Sequence, residues 1–367
     1  MGMNPVGMNR VACLGACIAF ALALAAPPGH AQEAFYKGKR LTLLVNFAPG
    51  GSTDAEARVF VRHIGRLLDG QPGVVIQNIE GAAGLVGAKY VGEIAPRDGT
   101  LAGYLTGTAF LYALDPELFR VDFKTYEFVG IQPGTSINFV RSDVAPGMKA
   151  PADFMQARGV VLGSLATVSS KGVRLRLGLD MLGIPFKYIS GYRSGGAAKL
   201  AIERGEINFY GESSPSYFSI IEPGLVKSGT VIPVYYDSVY DGRNFIVPDE
   251  AKAAPVSAFH EFHRAMKGAM PSGPLWEAYK SLVAVDGNML RLIVLPPGTP
   301  PAAVTALRAA LIRLGSDQGY AEDSRKTFGF VPMWLASADN NATAVASMTF
   351  DPATRSFLQD YIRNPPR

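Results

Sequence analysis

Apolar positions fall along this chain in short continuous runs separated by stretches of helical period. Residues 40–47 read as a strand around the apolar run Leu43-Leu44-Val45, of the type buried on both faces. Residues 55–68 follow, with Val59, Ile64, Leu67 and Leu68 roughly on one helical stripe. Thr53 and Glu56 have the spacing of a capping box, which would start that helix. The rhythm then repeats. Strands are predicted over 74–79, 101–106, 159–164, 207–210 and 231–236, and Gly81 to Ala88 opens a second helix. Further helices are predicted over 171–182, 195–204 and 301–314, the last with Pro301 at its first position after Gly298 and Thr299. Alternating strands and helices imply an α/β fold with a mostly parallel sheet covered on both faces. Ligands of such sheets bind at the carboxyl ends of strands. Residues 241–283 break the rhythm and read as an irregular lid or insertion. Tyr210, Tyr217, Tyr235, Tyr236 and Tyr240 are dense, and alternation in strands makes them core.

The amino-terminal pattern differs. Arg10 is the only charged residue before Glu33, residues 11–26 are almost wholly apolar, and Pro27-Pro28-Gly29-His30-Ala31 ends the run. One positive charge, an apolar core and small residues near Ala31 read as a secretory signal over residues 1–31. The run is shorter than the roughly 20 residues of a membrane span. Leu14-Gly15-Ala16-Cys17 offers a rival, a lipobox that would anchor the protein through Cys17. Both cysteines, Cys13 and Cys17, lie here, so the exported chain would hold no disulfide, thiolate metal site or thiol nucleophile. Losing Arg10 leaves 34 basic against 31 acidic residues, with no basic stripe, which excludes nucleic acid as an expected partner. The remaining length, about 335 residues, exceeds what one core usually holds, so two lobes are expected.

The chemistry concentrates in Leu43-Leu44-Val45-Asn46-Phe47-Ala48-Pro49-Gly50-Gly51-Ser52-Thr53-Asp54. A strand that breaks into a glycine loop and then a helix presents free N–H groups and a positive dipole end, which suits an anion. Taken alone, Gly50-Gly51 fits a tight turn equally well. Catalytic arrangements fit less well. His260 and His263 stand at i, i+3 without a third ligand, and Gly191-Tyr192-Arg193-Ser194-Gly195 lacks nucleophile-elbow spacing. Gly81 to Gly87 is not a dinucleotide fingerprint. No enzyme activity, metal or cofactor is expected.

The residues Tyr36 to Asp54 resemble the opening of the substrate-binding receptors of tripartite tricarboxylate transporters, the Bug-type receptors. The likeness continues through Val75-Ile76-Gln77-Asn78-Ile79-Glu80-Gly81-Ala82-Ala83-Gly84, Ala95-Pro96-Arg97-Asp98-Gly99-Thr100-Leu101, Leu105-Thr106-Gly107-Thr108, Tyr192 to Pro215, and Leu295-Pro296-Pro297-Gly298-Thr299-Pro300-Pro301. The resemblance implies a two-lobe type II periplasmic binding protein fold with a hinge of two crossing strands. The first lobe would be 33–137 plus 286–367 and the second 138–285. It also implies a monomeric periplasmic receptor that closes on a small organic carboxylate and delivers it to a large and a small membrane subunit. A secreted serine-type hydrolase and a receptor feeding a sensor kinase are the alternatives. Carried over by position, the ligand-binding residues would be Phe47, Ala48, Gly51, Ser52, Asp54, Thr106 and Thr108 in the first lobe. In the second they would be Ser164, Ser169, Ser170, Tyr192, Arg193 and Ser213. Asp54 would fix the loop or engage a ligand amine, and Arg193 is equally placed as a solvated charge. Lys171-Gly172, Asn208 and Gly211-Glu212 depart from the family pattern.

Overall fold

The computed structural model describes residues 1–2 and 34–365, so the signal reading, Cys13 and Cys17 lie outside the described residues. Strands β1 (Arg40–Val45), β2 (Gly73–Asn78), β3 (Leu101–Leu105) and β4 (Glu127–Gln132) are interleaved with helices α1 (Ser52–Leu67), α2 (Leu85–Glu93) and α3 (Thr108–Leu114). The chain then crosses into β5 (Ser136–Arg141), β6 (Val160–Ser164), α4 (Ser170–Leu182), β7 (Phe186–Ser190), α5 (Gly195–Glu203), β8 (Phe209–Ser213) and β9 (Val231–Tyr236). A small hairpin of β10 (Val239–Tyr240) and β11 (Phe245–Ile246) leads to α6 (Phe259–Lys267) and α7 (Pro274–Asn288). The chain returns through β12 (Arg291–Leu295) to α8 (Pro301–Gly315), α9 (Gln318–Phe328), α10 (Ala338–Ser347) and α11 (Pro352–Arg363).

Two five-stranded sheets result, ordered β2-β1-β3-β12-β4 and β7-β6-β8-β5-β9. In each, one strand opposes the other four: β12 is antiparallel to β3 and β4, and β5 to β8 and β9. Those are the two strands that enter each sheet straight after the chain has crossed from the other. The central strands β3 and β12 are buried at every residue, which is why they read as apolar runs rather than alternations. The edge strand β2 alternates exposed and half-buried positions, as a strand with one wet face must.

Helix α1 covers the first sheet with Ala57, Val59, Phe60 and Ile64 buried. Phe60 packs between Tyr104 and Trp334, with ring centroids 5.8 and 5.6 Å away. Burying one such side chain contributes about 1.5–3 kcal/mol. Two expectations fail here. The helix begins at Ser52, its N-cap is Gly51 without a side-chain cap bond, and Glu56 pairs with Arg291 instead of closing a capping box. Residues 259–283 are not an irregular lid: α6 and α7 bury Phe259, Phe262, Trp276, Tyr279 and Leu282 in the core. Of the tyrosines assigned to the core, Tyr240 is only half-buried.

Candidate functional site between the lobes

The loops after β1, β2 and β3 are tied together by Asn46, which is fully buried at the carboxyl end of β1. Its Nδ2 donates to the carbonyls of Gly84 (3.2 Å) and Thr106 (3.0 Å), and its Oδ1 accepts the Thr106 N–H at 3.1 Å. Gly84 has φ +93, and a Cβ there would meet Asn46 Nδ2 at 2.4 Å, so only glycine fits. Asp54 fixes the neighbouring loop. Its carboxylate accepts from the Gly50 N–H at 2.9 Å, Arg58 Nε at 2.8 Å and Asn78 Nδ2 at 3.0 Å. Burial raises its pKa, but these donors outweigh burial and hold it below the ordinary carboxylate range.

The loop therefore uses the N–H of Gly50 on Asp54 and that of Gly51 on the Ala48 carbonyl (3.4 Å). Neither of these N–H groups is therefore among the free ones that such a junction presents. The groups left open are those of Ser52 and Thr53, since the first intrahelical bond runs from Ala55 N to the Gly51 carbonyl. Ser52 and Thr53 line a cavity between the lobes with an empty volume of about 670 Å³, its mouth included. Two more helices begin on the same cavity. Ser170 and Lys171 open α4 behind Ser169, which makes no side-chain cap bond. Gly195 opens α5 behind Ser194, whose hydroxyl accepts from Ala197 N at 3.2 Å. Three helix N-termini from the two lobes thus face one space, each with unpaired N–H groups and the positive end of its dipole.

Charged side chains surround the space in pairs. Arg291 Nη2 meets Glu56 and donates to Ser213 Oγ (3.3 Å), and its Nη1 donates to Thr106 Oγ1 (2.9 Å). Arg174 pairs with Asp286 and, at 3.0 Å, with Asp237, and donates to Ser136 Oγ at 3.3 Å. Lys171 Nζ lies 3.0 Å from Glu212. Burial pushes the carboxyls of Glu56 and Asp237 up from their ordinary value against the pull of Arg291 and Arg174. Glu212 sits against the start of α5, where a Cβ on Gly195 would come within 2.2 Å of it.

Seven sequence-named residues line the cavity: Phe47, Gly51, Ser52, Thr106, Ser169, Ser170 and Ser213. The others stand elsewhere. Ala48 only accepts the loop bond, and Thr108 is buried 3.5 Å from Asn46 Nδ2. Ser164 donates to the Ala166 carbonyl at 3.0 Å. Tyr192 and Arg193 line an outer mouth, where the exposed Arg193 pairs with Glu80 of the other lobe. The sequence reading passed over Arg174, Arg291, Asp286 and Ser136, all on the cavity wall. The available signal was an arginine at a buried position of an apolar helix and another opening an apolar strand. His260 and His263 are engaged structurally, through Nδ1 with Ser238 Oγ (2.8 Å) and with the Ala269 carbonyl (2.9 Å).

Two sheets, each with one opposed strand, joined by two crossings around a cleft, define the two-lobe type II periplasmic binding protein fold. Solved structures carry the same fold. The periplasmic binding protein BugD matches with a TM-score of 0.64 at 17% identity, over 89% of this chain and 98% of that one. Rpa4515 of R. palustris, solved with adipate, matches with a TM-score of 0.66 at 19% identity, over 90% and 99%. In sequence, a UPF0065 protein encoded in the TAR-I ttuE-ttuC' intergenic region of Agrobacterium vitis is 30% identical over 169 residues, 43% of this chain and 47% of that protein. The chain thus spans about half the length of that relative. No family model matches. The resemblance to Bug-type receptors is borne out by these likenesses. Among the described residues, no helix is long and apolar enough to cross a membrane.

Proposed function

We propose that this protein is a periplasmic solute receptor that closes its lobes on a small organic carboxylate and delivers it to a tripartite tricarboxylate-type membrane transporter. It acts as a monomer, without catalysis. The observation that carries the reading is the meeting of three helix N-termini, at Ser52, Ser170 and Gly195, on one cavity between the lobes. Unpaired N–H groups at aligned dipole ends bind an anion without regard to the rest of the molecule. Adipate in a protein of the same fold supports a carboxylate as that anion. Lobe closure would trap it, as in other hinge-closing receptors.

Purified protein should be screened against carboxylates by thermal shift, after mass spectrometry of any ligand it carries. A ligand at 100 times its Kd adds about 2.7 kcal/mol of stability, a clear rise in melting temperature. No shift with any carboxylate would overturn the reading. Delivery is tested separately by uptake of the identified ligand in strains lacking this gene or the permease. Unchanged uptake in both would favour the sensing alternative. Intact mass of the exported protein, lacking about 31 residues and carrying no lipid on Cys17, tests the location.

A further inference from the structure

A second space adjoins the anion cavity and has a different chemistry. It has an empty volume of about 1040 Å³, mouth included, and its walls include Leu85, Leu114, Leu118 and Ile362. Leu111 and Val168 line both spaces. Leu111 belongs to α3 of the first lobe and Val168 to the loop before α4 of the second. The wall between the two spaces is therefore apolar and is contributed by opposite lobes. Several polar groups of the second space are bonded within the protein. Gln359 Nε2 donates to the Leu114 carbonyl (3.0 Å), Arg363 Nε donates to the Gln359 carbonyl (3.2 Å), and Asp115 accepts from Glu117 N (3.2 Å). Most of what remains to meet a ligand is hydrocarbon, with the exposed Arg363 guanidinium at the edge.

We propose, resting on the carboxylate reading above, that the ligand's carboxylate carries a hydrocarbon tail that passes between Leu111 and Val168 into this second space. The ligand class is then a medium-chain aliphatic carboxylate, held by its head at the helix N-termini and by its tail under α11. The two spaces adjoin across the Leu111 and Val168 wall, which parting of the lobes would open, and the mostly apolar lining of the second suits a hydrocarbon tail as its occupant.

The test is calorimetric titration of the full protein with butyrate, hexanoate, octanoate and decanoate. Once the chain is long enough to pass Leu111, affinity should rise about fourfold for each added methylene. Leu118→Glu, which places a charge in the second space, should abolish that rise for octanoate and decanoate while leaving butyrate unchanged. Leu85→Ser, at a half-buried position, should weaken the rise and serves if the first variant does not fold by circular dichroism. Ser52→Pro should lower affinity for every length alike, because it acts on the head. Affinity that is flat or falling from butyrate to decanoate would overturn the tail site and leave carboxylate capture standing. Equal loss at all lengths in Leu118→Glu would also overturn it. Binding of none of the four would overturn the tail site, while the wider carboxylate screen above decides the reading on which it rests.

Discussion

Ser52→Pro isolates the N–H group on which the proposed anion capture rests. Ser52 is the first residue of α1, where no intrahelical carbonyl accepts the backbone N–H. Proline is tolerated there, since its fixed φ suits the first helical position. The residue before it must also be extended, and Gly51 already has φ −82 and ψ 173. The substitution therefore removes one N–H and one hydroxyl from the cavity while leaving the loop's own bonds, from Gly50 to Asp54 and from Gly51 to Ala48, in place. A hydrogen bond to a charged group contributes about 1.5–3 kcal/mol. At 1.4 kcal/mol per factor of ten, Kd should rise by roughly ten- to a hundredfold or somewhat more. Ser52→Ala keeps the N–H and loses only the hydroxyl, about 0.5–1.5 kcal/mol, so Kd should rise about two- to tenfold. Calorimetry with the carboxylate giving the largest thermal shift measures both, once circular dichroism confirms folding. If the proline variant binds as tightly as wild type, the loop is a turn and the anion sits elsewhere.

Glu56→Gln should cost about 3–5 kcal/mol in urea denaturation, because it strands the buried Arg291 charge, whereas Glu56→Leu with Arg291→Met should restore most of the stability. A single-variant loss below about 1 kcal/mol would show that the pair is not coupled in this way. Arg193→Ala should change Kd by no more than about fivefold, the worth of an exposed ion pair with Glu80; a much larger loss would make Arg193 a ligand contact after all. The Asp54 pKa is held below its unfolded value near 4, so the folded state gains stability above that pH and loses it as pH falls through the lowered value. The stability gap between wild type and Asp54→Asn should accordingly be widest at pH 7 and shrink on acidification below about pH 4; a gap independent of pH would refute the assignment.

The sheet scaffold was legible because a buried strand and its following helix announce themselves locally. Val231–Tyr236 matches its predicted range, and most other predicted strands shift by only one or two residues. The strand expected over 207–210 forms at Phe209–Ser213 instead, since Asn208 turns its side chain onto the backbone of Val161 (2.7 Å) and Gly159 (2.9 Å). Helix α1 starts earlier than its apolar stripe because Ser52, Thr53 and Asp54 face the cavity and the loop rather than the sheet. Helix α7 packs against α4 on one side and α3 and α11 on the other, which spreads its buried positions around the helix and blurs a single stripe, whereas α6 keeps its buried Phe259, Phe262 and His263 on one face. Asn46 was inside the quoted motif but silent, since its partners lie on two other loops.

The paired charges were the least legible feature, and they alter how the site works. Lys171 and Glu212 are 41 positions apart, Arg174 and Asp286 112, and Glu56 and Arg291 235, so no local pattern could join them. Had the three cations been free, they would have dominated recognition of an anion. Instead they face four carboxylates, Glu56, Glu212, Asp237 and Asp286. Burial pushes the carboxyls of Glu56 and Asp237 up from their ordinary value, against the pull of Arg291 and Arg174. A buried cation already matched by a carboxylate has little attraction left for a ligand, because the desolvation of both partners has been met by each other. Positive potential also comes from the helix N-termini, each equivalent to roughly half a unit charge, of which that of α5 has Glu212 against it. Lys171 with Glu212 and Arg291 with Glu56 are matched within one lobe each, and Arg291 reaches across to Ser213, so on the proposed reading the anion falls to the neutral backbone N–H groups.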